Sequence, residues 1–309
     1  MKTHFKVTMD CLFKFIFGNP KNIKILISLI NSVLTDSGFP EIKSAKIENP
    51  FNIKEFIDSK ESVIDIRAID ESGRTYNIEM QTQSEAHFKN RTLYYWAKLY
   101  SGQLLNTQDY EELNPVICIN ILDFNLFKKS KTPHICFLLK EKDSNLVCTD
   151  HLSIHFIELS KVTNDGKYGN LYKWLRYLKF EGTEDKELTD FIESDDEIKN
   201  AHDEYEKFLS KEHLQHLYLA REMYQHDEAT RISSAEDRGE KKGLTKGKLE
   251  EKQNVLIRYL NRKFSLSEEQ TAFIKEIPDT EKLNLALDTV LFAETAEEVF
   301  LALKKRSAD

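Results

Sequence analysis

Glu79 and Gln81 stand two positions apart in the run Tyr76-Asn77-Ile78-Glu79-Met80-Gln81, and Asp65 precedes Glu79 by fourteen positions. Side chains alternate faces along a strand, so Glu79 and Gln81 point one way while Ile78 and Met80 point the other, into a core. A Glu and a Gln side by side, with an Asp on the preceding strand, can hold a divalent cation. Hard cations such as Mg²⁺ take carboxylate and carbonyl oxygens and keep several waters. That is the chemistry of phosphodiester cleavage.

A hairpin must bring these acids together. Ser62 to Asp70 is β-branched and apolar and reads as one strand, with Thr75 to Gln81 as the next. Asp70-Glu71-Ser72-Gly73-Arg74 between them has turn composition. A three-residue loop of Glu71, Ser72 and Gly73, with Gly in the left-handed position, sets 65 opposite 79. A two-residue loop would shift that pairing by one. Directly opposed residues have Cβ atoms about 4.5–5.5 Å apart, so two carboxylates there repel unless a cation sits between them. Arg67 is one candidate cation, from the same strand face, and a metal ion is a better one. The competing reading is a polar outer face on an antiparallel hairpin. Asp65 resists it, because Ile64, Ile66, Ala68 and Ile69 mark its strand as largely buried, and buried acids are rarely left unpaired.

At these residues the chain resembles the PD-(D/E)XK nucleases, and more closely the Rpn family of recombination-promoting nucleases and transposases. The shared features run in order. They are Asp10-Cys11-Leu12-Phe13-Lys14-Phe15-Ile16-Phe17-Gly18, Val63-Ile64-Asp65-Ile66, Ile78-Glu79-Met80-Gln81, Phe88 to Tyr95, Leu99 to Leu104, and Pro115 to Phe124. Together they cover about the first 130 residues.

The resemblance implies an α/β restriction-endonuclease-like core, a central mixed sheet flanked by helices, with an α-helical C-terminal extension. It implies Asp65 and Glu79 as metal ligands for Mg²⁺ (or Mn²⁺), with the main-chain carbonyl of Met80 as a further ligand. Gln81 occupies the position that is usually Lys. A Lys there carries charge and helps deprotonate the attacking water, whereas Gln81 orients a water or phosphate by hydrogen bonds alone. The metal then does more of the activation. Asp10 resembles the acidic residue of the first helix that completes the metal shell, and an exposed acid favoured by a helix dipole reads equally well. The implied activity is metal-dependent DNA endonuclease action that promotes recombination or DNA mobility. Two alternatives stay open: cleavage of RNA, and a non-catalytic nucleic-acid-binding or interaction protein that kept the fold.

The chain of 309 residues allows two domains, or one with an extension. We expect a nuclease-like core at 1–160, an acidic helical extension at 161–235, a glycine-spaced basic segment at 236–253 and a small helical module at 254–309. Net charge is −8, and residues 161–230, with 10 Lys+Arg against 17 Asp+Glu, supply nearly all of it. Affinity for nucleic acid comes from local Lys and Arg contacts to phosphates, so the overall sign does not exclude DNA. Apolar runs are strand length, short of the roughly 20 residues of a membrane span. Met1 to Asp10 shows no signal-peptide pattern. Cys11, Cys118, Cys136 and Cys148 are scattered, with Cys118 and Cys136 in apolar strands, which fits a reducing cytoplasm.

Around the hairpin, Thr8 opens a first short helix and Asn19-Pro20 a second over Lys21 to Leu34, whose stripe is Ile23, Leu26, Ile27, Ile30 and Leu34. The first strand falls within Ile42 to Phe56. Phe88 to Leu105 reads as a long helix. Its Arg91 and Lys98 are candidate nucleic-acid contacts, although Arg91 with Tyr94 and Tyr95 equally makes a surface cation–π cluster. Pro115 to Leu122 fits a central strand buried on both faces, and His134 to Leu139 and Leu152 to Leu159 fit two more. Asp165 to Gly169 reads as a loop before a helix over Leu171 to Leu178. The histidines at 151, 155, 213, 216 and 226 lack the partners of a metal site. Gly239, Gly243 and Gly247 share one helix face, giving a soft helix or linker and a surface for a homo-oligomer. Leu256 to Lys263 and Leu283 to Leu303 complete a small helical unit.

Overall fold

Period-two alternation and short apolar runs build the strands of this protein, and 3.6-residue spacing builds the helices between them. The computed structural model describes residues 5–51, 66–104, 109–163, 169–183 and 187–304. Six strands, β1 (Ala45–Ile47), β2 (Ile66–Asp70), β3 (Thr75–Gln81), β4 (Val116–Leu122), β5 (His134–Leu138) and β6 (Leu152–Glu158), form one sheet of order β1-β2-β3-β4-β6-β5. The central strands β3, β4 and β6 run parallel, and β1, β2 and β5 pair antiparallel. The continuous apolar run of β4 is buried at every position, as a strand covered on both faces requires. This is the mixed sheet flanked by helices expected of the α/β core.

The β2–β3 hairpin has the expected register, running from Ile66↔Ile78 to Ile69↔Thr75. Opposition of 65 and 79 belongs to that register, but Asp65 lies outside the described residues, as do Val63 and Ile64. Glu71, Ser72 and Gly73 form the loop, with Gly73 at φ 86°. A Cβ there would also meet Asn114 Oδ1 at 2.8 Å. The Asp70 carboxylate ties the turn together. It accepts from Ser72 N at 2.8 Å, Arg74 N at 3.0 Å, Arg74 Nε at 2.7 Å and the Tyr76 hydroxyl at 2.9 Å. Burial opposes its charge, yet these hydrogen bonds win and hold its pKa below the usual value.

Helices cover both faces of the sheet. α1 (Asp10–Phe17) and α2 (Ile23–Asp36) share a core with Tyr76, Ile78, Met80, Ile117, Ile119 and Ile121. α3 (Phe88–Ser101) covers the other face, where Phe88 packs with Val116, Cys118, Leu122 and Phe156. Several boundaries differ from expectation. Met9 rather than Thr8 precedes α1. Asn19 caps a 3₁₀ turn (Pro20–Asn22), with its side chain accepting from Lys21 N at 3.1 Å, before α2 begins. The buried face of α2 also takes in Ile25, Leu29 and Val33, because the helix packs on neighbouring helices as well as on the sheet. β1 is only three residues long, and 52–56 of its expected range lie outside the described residues. α3 stops at Ser101, where Gly102 N bonds Lys98 O at 3.0 Å.

Further helices follow: α4 (Gly169–Phe180), α5 (Glu187–Ile192), α6 (Asp196–Leu209) and α7 (Glu212–Lys263). The loop expected at 165–168 lies outside the described residues. Leu171, Trp174, Tyr177, Ile198, Phe208, Leu214 and Tyr218 join the core beneath Ile78 and Met80.

The chain divides into two compact units, Met1–Met223 and Tyr224–Asp309. Gly239, Gly243 and Gly247 fall inside the continuous helix α7, exposed, and a Cβ at any of them would meet nothing. Their helical neighbours are Lys, Glu and Leu, strong helix formers that offset the cost of about 1 kcal/mol per glycine. The second unit has its own core of Leu256, Leu260, Ile274, Leu283, Ala286, Val290 and Val299. There α7 packs with α8 (Glu268–Lys275), α9 (Thr280–Phe292) and α10 (Ala296–Lys304). Gln253 Nε2 joins this unit by donating to Lys275 O at 3.0 Å and Ile277 O at 2.8 Å. α8 opens with a Ser267–Gln270 capping box.

Candidate active site

β3 is a central strand whose polar residues are as buried as its apolar ones. Tyr76, Ile78 and Met80 enter the α1–α2 core. Asn77, Glu79 and Gln81 face the α3 layer, in register with Cys118, Asn120 and Leu122 of β4. Glu79 is 2 % exposed, so its charge must be met by a partner.

That partner is Arg91 in the first turn of α3. Its guanidinium bonds Glu79 Oε1 with one terminal nitrogen and Glu85 Oε2 with the other. Burial works against the charge on Arg91, but Glu79 and Glu85 outweigh it and its pKa is pushed up. Glu85 also accepts from Gln81 Nε2 at 2.7 Å. The four side chains therefore form one chain, Glu79–Arg91–Glu85–Gln81. Its floor is Phe88, whose ring lies 4.9 Å from the Arg91 guanidinium carbon. His87, at φ 67°, turns the backbone from this connection into α3.

One acceptor in the network is unused. Gln81 Oε1 is buried and has no hydrogen-bond donor among the described residues. A buried amide oxygen left so costs about 1–3 kcal/mol, so it points to a donor or a cation that completes the site. Asp123 N bonds Gln81 O at 2.9 Å. Carbonyls alternate along a strand, so the Met80 carbonyl is directed to the β2 side of β3, the side on which Asp65 is expected.

Residues 7–235 match the family model described as PD-(D/E)XK nuclease family transposase. The chain belongs to this family. Comparison with curated proteins and with solved structures gives no match. Membership accounts for the order helix, three strands, helix, strand at the centre of the first unit and supports a nuclease-type function for it.

Within this nuclease fold, the expected site residues fall in different places. Glu79, Gln81 and Arg91 meet, and Met80 lies between the first two. Asp65 is outside the described residues. Asp10 begins α1, which shares the core of the opposite sheet face, and it is buried rather than exposed. Its Oδ2 accepts from Arg221 Nε of α7 at 2.9 Å and its Oδ1 from Cys11 N at 2.8 Å. Lys98 lies two turns beyond Arg91 on α3, exposed. Tyr94 is exposed, and Tyr95 has its ring 6.0 Å from the Arg91 guanidinium carbon, so the cation–π reading of this helix and the ion pair coexist. Glu85 was missed from the sequence. It sits in the polar connection Thr82 to His87, where no periodicity marks a functional position. Among the described residues, no three His, Cys, Asp or Glu side chains cluster as metal ligands, and no helix is long and apolar enough to cross a membrane.

Proposed function

We propose that the chain is a divalent-metal-dependent DNA endonuclease, with Asp65, Glu79, the Met80 carbonyl and Gln81 as its site. The observation that carries this reading is the pair on one face of β3, a buried carboxylate beside a buried amide oxygen that lacks a donor among the described residues. Both groups offer oxygen, the donor that Mg²⁺ and Mn²⁺ take. Asp65 would join them from β2. A bound cation would supply a lowered water pKa and charge neutralisation at phosphorus.

The protein's own groups do the rest. Glu85 holds the Gln81 amide by its N–H, which leaves Oε1 to accept a hydrogen bond from the attacking water and so orient it. Arg91, already charged and only partly buried beside Glu79, would offer its planar fork to phosphate oxygens. Asp10 acts through α1, and Lys98 supplies a further phosphate contact. The cellular role consistent with the family is recombination or DNA mobility.

The test is nicking of supercoiled plasmid by wild type, Asp65→Ala and Glu79→Gln, with Mg²⁺, Mn²⁺ or EDTA. Metal-dependent nicking lost in both variants, with their melting transitions retained, supports the reading. No cleavage of plasmid, single-stranded DNA or RNA by wild type, even with Mn²⁺, sinks it. One observation favours a second reading, a nucleic-acid-binding protein that no longer cleaves: Arg91 already neutralises Glu79. That reading requires a melting temperature unmoved by Mg²⁺ or Mn²⁺.

A further inference from the structure

The loop after β4, residues 123–132, is held by a buried carboxylate. Glu158 at the end of β6 is fully buried and accepts from Leu126 N and, at 2.9 Å, from Phe127 N. Lys161 bonds Glu158 and donates to Phe127 O at 2.8 Å. Two groups thus fix the loop from below. Its upper side, with edge strand β5 and the start of α3, lines an open pocket of about 800 Å³.

Three lysines line this pocket, Lys89 of α3 with Lys128 and Lys129 of the loop, and no Asp or Glu among the described residues does. None of the three forms an ion pair with another described residue. Lys89 Nζ stands 4.4 Å from the centroid of Phe127. Phe127 and Phe137 lie 5.3 Å apart with their planes 31° from parallel, and Phe137 is 42 % exposed. Cations around the exposed Phe137 ring match the two halves of a nucleotide, phosphate and base.

The pocket also lies beside the candidate active site. Gln81, Leu122 and Glu158 are consecutive across β3, β4 and β6. Neighbouring strands are about 4.8 Å apart, so the backbones of Gln81 and Glu158 are about 10 Å apart. Both features sit at the carboxyl ends of the parallel strands, where open α/β sheets bind ligands. Lys89 is two residues from Arg91 on α3.

We propose that this pocket binds an unpaired DNA strand one or two nucleotides from the scissile phosphate, with Phe137 stacking a base and Lys89, Lys128 and Lys129 taking its phosphates. The proposal rests on the nuclease reading for the word scissile and on the pocket alone for binding. Bases inside a duplex are stacked on one another and do not reach Phe137, so the pocket favours single strands over duplex.

The experiment is fluorescence anisotropy of the full chain in EDTA, with labelled oligothymidylate of about twelve nucleotides and a duplex of equal length, over a salt series. Wild type is expected to bind the single strand about fivefold or more tighter than duplex. Lys128→Glu with Lys129→Glu, on an exposed loop, is expected to weaken single-strand binding at least tenfold and to lower the salt slope by about 1.4, at about 0.7 per contact. Phe137→Ala is expected to weaken it about fivefold or more with the slope unchanged. Duplex bound as tightly as single strand, or single-strand affinity indifferent to the lysine and Phe137 changes, overturns the proposal. Metal is absent throughout, so single-strand binding that meets these expectations in a protein unable to nick plasmid supports the pocket while refuting the nuclease.

Discussion

Arg91 and Glu79 form an ion pair between the first turn of α3 and the centre of β3, with Glu79 almost wholly buried and Arg91 26 % exposed in its side chain. The pair closes the gap between helix and sheet at the point where sequence reasoning places a cation. Under the proposed function, Arg91 and a divalent ion would compete for that one carboxylate. Removing Arg91 takes a partner from the buried Glu79 carboxylate, which costs about 2–3 kcal/mol after allowance for the exposed side of the arginine. The competition has a measurable sign. Arg91→Ala is expected to melt lower than wild type without metal and to gain more in melting temperature on adding Mg²⁺. Calorimetry with and without Mg²⁺ checks this, and an equal metal-induced gain in both proteins would show that the site takes no ion at Glu79.

A second buried cluster sets an acid limit on stability. His155 of β6 is fully buried. Its Nδ1 lies 3.1 Å from Nε2 of His134, whose Nδ1 is 2.5 Å from Asp36 Oδ2. Ser37 and Cys136 complete its surroundings. Burial, and then the neighbouring His134, lower the His155 pKa from 6.5 to about 3. The folded state thus binds this proton less readily than the unfolded chain does. Stability from His155 is fully present above pH 6.5 and is lost progressively as pH falls toward 3, by about 3–5 kcal/mol in all. Melting temperature followed from pH 7 to pH 4 is expected to fall more steeply in wild type than in His155→Asn. Parallel curves would remove His155 from the account.

Asp10 joins α1 to α7 through Arg221, and both side chains are largely buried. Asp10→Ala is expected to destabilise the first unit by about 2–4 kcal/mol, since it removes the buried carboxylate that Arg221 Nε bonds. A double-mutant cycle with Arg221→Met should give a coupling of about 1–3 kcal/mol by urea denaturation. A purely catalytic Asp10 would instead abolish nicking with stability unchanged. Because the pair bridges distant parts of the chain, its loss is also expected to expose α7 near residue 221 to protease.

Much of the site was legible in the chain. The Ile78–Glu79–Met80–Gln81 alternation assigns faces through the fixed period of a strand, and Glu71-Ser72-Gly73 sets the hairpin register because only a few loop geometries join two antiparallel strands. The apolar run before Leu122 identifies a strand covered on both sides. These are local rules, and they held for β3, β4, β6 and the described part of β2. Boundaries such as the ends of α3 and the 3₁₀ start before α2 depend on which neighbour receives the last backbone groups, and composition does not record that.

Tertiary structure alone decided the rest. That Arg91 serves Glu79 rather than solvent follows from the packing of α3 across β3 and β4, and Glu85 enters the site only because the 82–87 connection folds back over Gln81. Asp10 carries the composition of an exposed helix start, but α7, more than 200 residues later, buries it and supplies Arg221. The lysines at 89, 128 and 129 are ordinary surface residues in sequence, and they converge because Glu158 pins a loop next to α3. Sequence determines periodicity and register, which are properties of adjacent residues. Which charges meet is set by contacts between distant segments, and only the folded chain brings those together.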